Sequence, residues 1–237
     1  MPEVTIDTLT LGLVWFVVFL FSTTCHEAAH ALVARRGGDT TAANQVTLNP
    51  TPHVQREPFG MVVVPLVSYL LGGWMIGWAS APYNPEWAYR YPHRAARMAL
   101  AGPAANFALM LIGALIIRIG LAVEWFQPPA SVHYTRITEA VDPSGVGSLI
   151  AVFASVLFIL NLLLGTFNLL PVPPLDGNAG ITIFMSESRA RNFMSLFHQQ
   201  GFGMMGILLA WVVFGRIFDV VFTVALNVLY FPIVSYG

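Results

Sequence analysis

The stretch Leu9 to Val33, LTLGLVWFVVFLFSTTCHEAAHALV, is apolar for most of its length and then carries His26-Glu27-Ala28-Ala29-His30. About 20 apolar residues in a helix cross a bilayer, so the run reads as a membrane span with three ionisable side chains inside one turn. Polar groups at that depth are expensive and mark function. Positions i and i+4 of a helix share a face, which lets His26 and His30 offer two imidazoles to one ion. Glu27 falls on the flank of that face, where a general base can reach a water without taking a coordination position. Zinc is the ion this pattern suits.

Composition points the same way. Of 237 residues, 56% are hydrophobic and 10% charged, far below the roughly 25% charged content of a soluble domain. Mean hydropathy is +0.68. Eleven cations, all arginine, nearly balance twelve carboxylates, so there is no basic face for nucleic acid. The single cysteine, Cys25, excludes an internal disulfide and a multi-cysteine metal site.

The chain is expected to be an all-α integral membrane protein, one polytopic helical bundle over residues 1–237. Spans are expected at about 9–34, 98–123, 147–170 and 202–234, the last as one helix or a helix with a short return. Residues 59–78 are apolar but contain Pro65 and Gly72-Gly73, which breaks a full crossing and favours a re-entrant segment. Met1 to Thr8 has no cation, so the first span is expected to remain in the mature protein rather than act as a signal peptide.

A catalytic zinc takes three protein ligands and keeps one open position. Candidates for the third are Glu124, Glu139, Asp142 and Asp176. Asp176 stands out because Pro171, Pro173 and Pro174 precede it and forbid a regular helix. Irregular backbone at membrane depth is tolerated only where protein or a wet cavity surrounds it, and short membrane-embedded extended segments are therefore part of the expected fold.

Three motifs, His26-Glu27-Ala28-Ala29-His30, Ala101-Gly102-Pro103-Ala104-Ala105-Asn106 and Asn168-Leu169-Leu170-Pro171-Val172-Pro173-Pro174-Leu175-Asp176-Gly177, together resemble the site-2 protease family of intramembrane zinc metalloproteases. The likeness runs from about Leu9 to Gly180. It implies one zinc ion held by His26, His30 and Asp176, with Glu27 as the acid/base residue. It also implies that Asn168 holds the substrate or the oxyanion, and Asn106 is grouped with it as a substrate contact. The implied activity is hydrolysis of a peptide bond in or near the transmembrane segment of a protein or peptide substrate within the lipid bilayer. Leu48-Asn49-Pro50-Thr51-Pro52-His53 also resembles a loop of short bacterial members, but the usual Asp-Pro pair is replaced by Val54-Gln55-Arg56-Glu57-Pro58, so His53 is expected to be interfacial or gating rather than a ligand. The alternative reading is a membrane metal-ion transporter built on the same His/His/Asp site, which would have no need of Glu27.

Topology tests the scheme independently. His26 lies roughly 13 Å of helix before Arg35, so Asp176 must return to the same depth. If the chain between them crossed fully each time, Asp176 would emerge on the wrong side. A re-entrant 59–78 removes the conflict and gathers Arg35, Arg36, Arg56, Arg90, Arg94, Arg97, Arg189 and Arg191 on one side with Arg136 opposite. Cytoplasmic loops are rich in arginine, which predicts an outside N-terminus in the cell membrane and a site nearer the cytoplasm. Arg118 is expected to snorkel to the interface and Arg216 to pair with Asp219 at i+3. Extended backbone at Thr40–Leu48 or Pro171–Pro174 is a candidate for pairing with an unwound substrate.

Overall fold

The computed structural model describes residues 6–197 and 202–236. Among the described residues, four helices are long and apolar enough to cross a membrane: α1 (Ile6–Arg36), α5 (Pro92–Ala122), α6 (Val146–Asn168) and α9 (Phe202–Tyr230). Shorter elements connect them. These are α2 (Thr51–Arg56), α3 (Phe59–Gly72, its first turn a π-helix over Phe59–Val63), α4 (Pro85–Arg90), α7 (Asp176–Gly180) and α8 (Glu187–Phe197). Two short strands, β1 (Phe126–Gln127) and β2 (Glu139–Ala140), pair antiparallel in the α5–α6 connection, with Phe126 opposite Ala140.

Helix starts follow local chemistry. Asn84 caps α4 by accepting from the Glu86 and Trp87 N–H groups, and Pro85 and Pro92 open α4 and α5 where a missing N–H costs nothing. Sequence such as Leu157-Phe-Ile-Leu-Asn-Leu-Leu-Leu164 is apolar all round except for Asn161, which suits a helix surrounded by others. Accordingly α6 supplies the centre of the core, with Ala154, Val156, Phe158, Ile159 and Leu160 buried.

Between α1 and α5 the chain goes out and comes back. Helix α3 runs to Gly72, and Gly73 reverses the chain at φ +75°, a conformation that favours glycine. Residues 75–84 then return without helix, and the Trp78 N–H reaches the Gly60 carbonyl at 3.1 Å, level with the start of α3. The Tyr69 hydroxyl donates to the Thr8 carbonyl at 2.7 Å, pinning the far end of α3 beside the start of α1. The chain thus returns to the end of the bundle it left, which leaves α5 antiparallel to α1 and α6 parallel to it. The C-terminal stretch is one helix to Tyr230, after which residues 231–236 fold back. The Asn227 amide donates to the Tyr236 carbonyl and accepts from the Tyr236 N–H.

Three expectations need correction. Thr40–Leu48 is not extended: the Asp39 carboxylate accepts from both the N–H and the hydroxyl of Thr41 and closes a turn, which continues into a 3-10 helix at Ala43–Gln45. Residues 171–174 are turned rather than extended, with the Val172 N–H on the Leu170 carbonyl and the Leu175 N–H on the Val172 carbonyl. Arg216 and Asp219, both exposed on α9, form no ion pair with each other. Arg118, by contrast, is exposed near the end of α5. Its guanidinium donates to the Leu229 and Phe231 carbonyls, which the end of α9 leaves without helical partners.

Candidate metal centre

His26 and His30 lie on the inner face of α1 and are buried together with Glu27. Their Nε2 atoms stand 2.9 Å apart. Asp176, delivered by the Pro171–Pro174 turns to the first position of α7, places Oδ2 at 3.1 Å from His26 Nε2 and 3.3 Å from His30 Nε2. Around a tetrahedral zinc with bonds of about 2.0–2.1 Å, neighbouring donor atoms stand roughly 3.3 Å apart, so the triangle has the size such an ion asks for.

Its chemistry fits as well. His30 Nδ1 is 2.7 Å from the Met98 carbonyl, which only accepts, so that nitrogen carries the proton and a neutral His30 presents a bare lone pair at Nε2. His26 Nδ1 is 2.6 Å from Asn106 Oδ1 and is placed in the same way. Asp176 Oδ2 is buried without a hydrogen bond. Three electron-pair donors converging without a proton between them describe a cation site. Glu27 also contributes to the cluster, its carboxylate oxygen lying within 4.8 Å of a ring nitrogen of each histidine. Gly102 covers the site from α5: a Cβ there would collide with Nε2 of both histidines.

The sequence candidates are distributed unequally. His26, Glu27, His30 and Asp176 meet at one point, and Asn106 backs it, fully buried, with its other amide atom donating to Asn161 Oδ1 at 2.9 Å. Asn168, the last residue of α6, donates to the Leu164 carbonyl of its own helix at 3.0 Å. His53 is buried in α2 against the Thr47 carbonyl and does not join the triangle. Glu139 and Asp142 belong to the α5–α6 connection, where a cavity of 680 Å³ is lined by Thr10, Val14, Gln127, Arg136 and Glu139 and by none of the four clustered side chains. In the sequence Gly102 is visible only as part of a motif, with no role of its own, and Ser22 and Asn161 belong to none of the three motifs. Asn161 had a visible signal, as a lone amide inside Leu157–Leu164, two helical turns before Asn168.

Residues 14–213 match the family model for Peptidase family M50. The chain is similar to the "Putative zinc metalloprotease YwhC" of Bacillus subtilis, at 34% identity over 164 residues, 68% of this chain and 64% of that one. It is also similar to the "Putative zinc metalloprotease Rip3" of Mycobacterium tuberculosis, at 31% identity over 176 residues, 74% of this chain and 32% of that one. The aligned part thus spans less than two thirds of either relative's length. No solved structure matches the chain.

Proposed function

The chain belongs to Peptidase family M50, and from that premise we propose that it is a zinc-dependent endopeptidase that hydrolyses a peptide bond in or near the transmembrane segment of a membrane protein. The observation that carries the reading is the triangle of His26 Nε2, His30 Nε2 and Asp176 Oδ2, with edges of 2.9, 3.1 and 3.3 Å and a carboxylate, Glu27, beside it. His26, His30 and Asp176 would hold one zinc. Bound there, zinc supplies a Lewis acid that polarises the scissile carbonyl and lowers the pKa of water toward about 7. Glu27 takes the proton of the attacking water and returns it to the leaving amine.

Asn168, at the end of α6, is the residue we assign to the substrate or to the developing oxyanion. Its amide would exchange the Leu164 carbonyl for the substrate. Asn106 has a different part. With 0% exposure and both amide atoms engaged, it acts through His26 and not on the substrate. A substrate helix hides its carbonyls in its own hydrogen bonds and must be unwound before attack.

The arginines support an orientation. Arg35, Arg36 and Arg56, Arg90, Arg94 and Arg97, and Arg189 and Arg191 belong to elements at the α1 C-terminal and α5 N-terminal end, and Arg94 bridges the two by donating to the Gly37 carbonyl. Arg136 lies in the connection at the opposite end. This multi-pass protein therefore has its site nearer the cytoplasmic side of the membrane.

The test measures bound zinc and cleavage of a model transmembrane substrate by the reconstituted protein. Glu27→Gln should keep zinc and lose cleavage by at least about a hundredfold, within the range general-base catalysis supplies. Asp176→Ala should lose both. Cleavage by Glu27→Gln at the wild-type rate would sink the proposal.

A further inference from the structure

The two imidazoles of the triangle must each keep the proton on Nδ1, and for His26 the groups that enforce this are side chains. Asn106 faces His26, but an amide can turn over. With Oδ1 toward His26 it demands an Nδ1 proton, and with its NH2 toward His26 it would demand the opposite tautomer and place a proton on Nε2, where the cation belongs. Something must decide which way Asn106 points.

We infer that Asn161 is a positioning residue that fixes the ligand tautomer of His26 through Asn106. Both hydrogens of the Asn161 amide are committed: Nδ2 donates to the Leu157 carbonyl at 2.9 Å and to Ser22 Oγ at 2.9 Å. The Leu157 carbonyl has no proton to give, so the reversed amide would set oxygen against oxygen. Asn161 Oδ1 is therefore the atom that faces Asn106, at 2.9 Å from its Nδ2. That choice turns Asn106 Oδ1 toward His26 Nδ1 at 2.6 Å and leaves Nε2 bare. A backbone carbonyl of α6 thus sets the direction of every hydrogen bond up to the ring on α1. Ser22, Asn106 and Asn161 are each 0% exposed, so no water stands ready to replace a missing partner.

The inference rests on the zinc reading above. Its test uses zinc itself as the probe, in the Glu27→Gln background so that proteolysis plays no part, with affinity read by chelator competition on the reconstituted protein. Asn161→Leu frees Asn106 to turn and should weaken zinc at least about tenfold, the usual consequence of losing a group that orients a ligand. Asn106→Asp alone sets a carboxylate oxygen against Asn161 Oδ1 and should also bind zinc poorly. The double variant Asn106→Asp/Asn161→Leu should bind more tightly than either single one, within about threefold of the parent. In it both carboxylate oxygens accept, His26 meets an acceptor whichever way the group turns, and the clash with Asn161 is gone.

A residue that merely filled space would give the reverse order, the double variant being the worst. Unchanged zinc affinity in Asn161→Leu, or a double variant no better than Asn161→Leu, would overturn the inference. Absence of zinc from the parent would instead overturn the metal reading, so the two failures are distinguishable. Thermal unfolding of each variant without zinc separates loss of the fold from loss of the site.

Discussion

Helices α6 and α9 are nearly equal in hydropathy, at 2.5 and 2.1 over their most apolar stretches, yet 56% of that stretch is buried in α6 and 17% in α9. Their polar side chains differ in the same sense. In α6, Ser155 Oγ accepts from the Ile137 and Thr138 N–H groups, and Asn161 joins α1 to α5. In α9, Arg216 and Asp219 are exposed and have no hydrogen-bond or ion-pair partner among the described residues. Hydropathy therefore does not say which helix lies in the middle. What distinguishes the inner helix is that Ser155 and Asn161 each tie it to another element, and Asn161 ties it to the residue that backs His26.

The largest effect should come from the inner set. Gly102 of α5 faces Nε2 of both histidines with no room for a Cβ, and the rings cannot slide away because Met98 and Asn106 hold their other nitrogens. Gly102→Ala should lower zinc affinity by about a hundredfold or more, at the upper end of effects that displace ligands, and should lower the thermal midpoint of the apo protein as well, because the overlap is with ring atoms that are there without the ion. Zinc affinity within a few-fold of wild type in Gly102→Ala would break the claim that α5 sets the size of the triangle.

A smaller effect should come where α9 packs on the turns that deliver Asp176. Gly206 packs so closely on the Pro173 carbonyl that a Cβ would overlap it, and Pro173 belongs to the turns that deliver Asp176. Both contacting groups lie on backbone, so neither can swing aside. Gly206→Ala should shift those turns and weaken zinc by about tenfold, with His26 and His30 undisturbed. If zinc affinity did not change, α9 would be a cover with no part in holding the carboxylate.

Much of this was legible in the sequence for a definable reason. The spacing of His26 and His30, the prolines before Asp176, and Pro65 with Gly72-Gly73 in α3 are local signals, and each acts over a turn or two of chain. The arginines add a global one, since eight of the eleven fall in segments that the fold gathers at one end of the bundle. The relay from Leu157 to His26 was not legible, because it depends on the register of α6 against α5 and of α5 against α1, which packing decides. Asn161 was visible as a polar residue in an apolar span, but its partner was not. Thr40–Leu48 misled because its threonines and valine favour a strand, whereas Asp39 spends its carboxylate on Thr41 and bends the chain.

The i+3 spacing of Arg216 and Asp219 misled in another way, and it supplies the smallest expected effect at the site. Spacing makes an ion pair available without forming it, and the two side chains stay apart on the outer face, with Arg216 midway between Phe202 and Tyr230. At the centre of a span each such charge costs about 2.5–3.5 kcal/mol on insertion scales. Replacing both at once, Arg216→Leu/Asp219→Leu, removes that cost and touches no group that holds the triangle. Zinc affinity should stay within about twofold of wild type, well inside the tenfold that losing an orienting group brings, and the thermal midpoint in lipid should rise. A lowered midpoint would sharpen the comparison in a different direction, because it would mean that this face of α9 is satisfied by a neighbour in the membrane and is no more an outer surface than the inner face of α6.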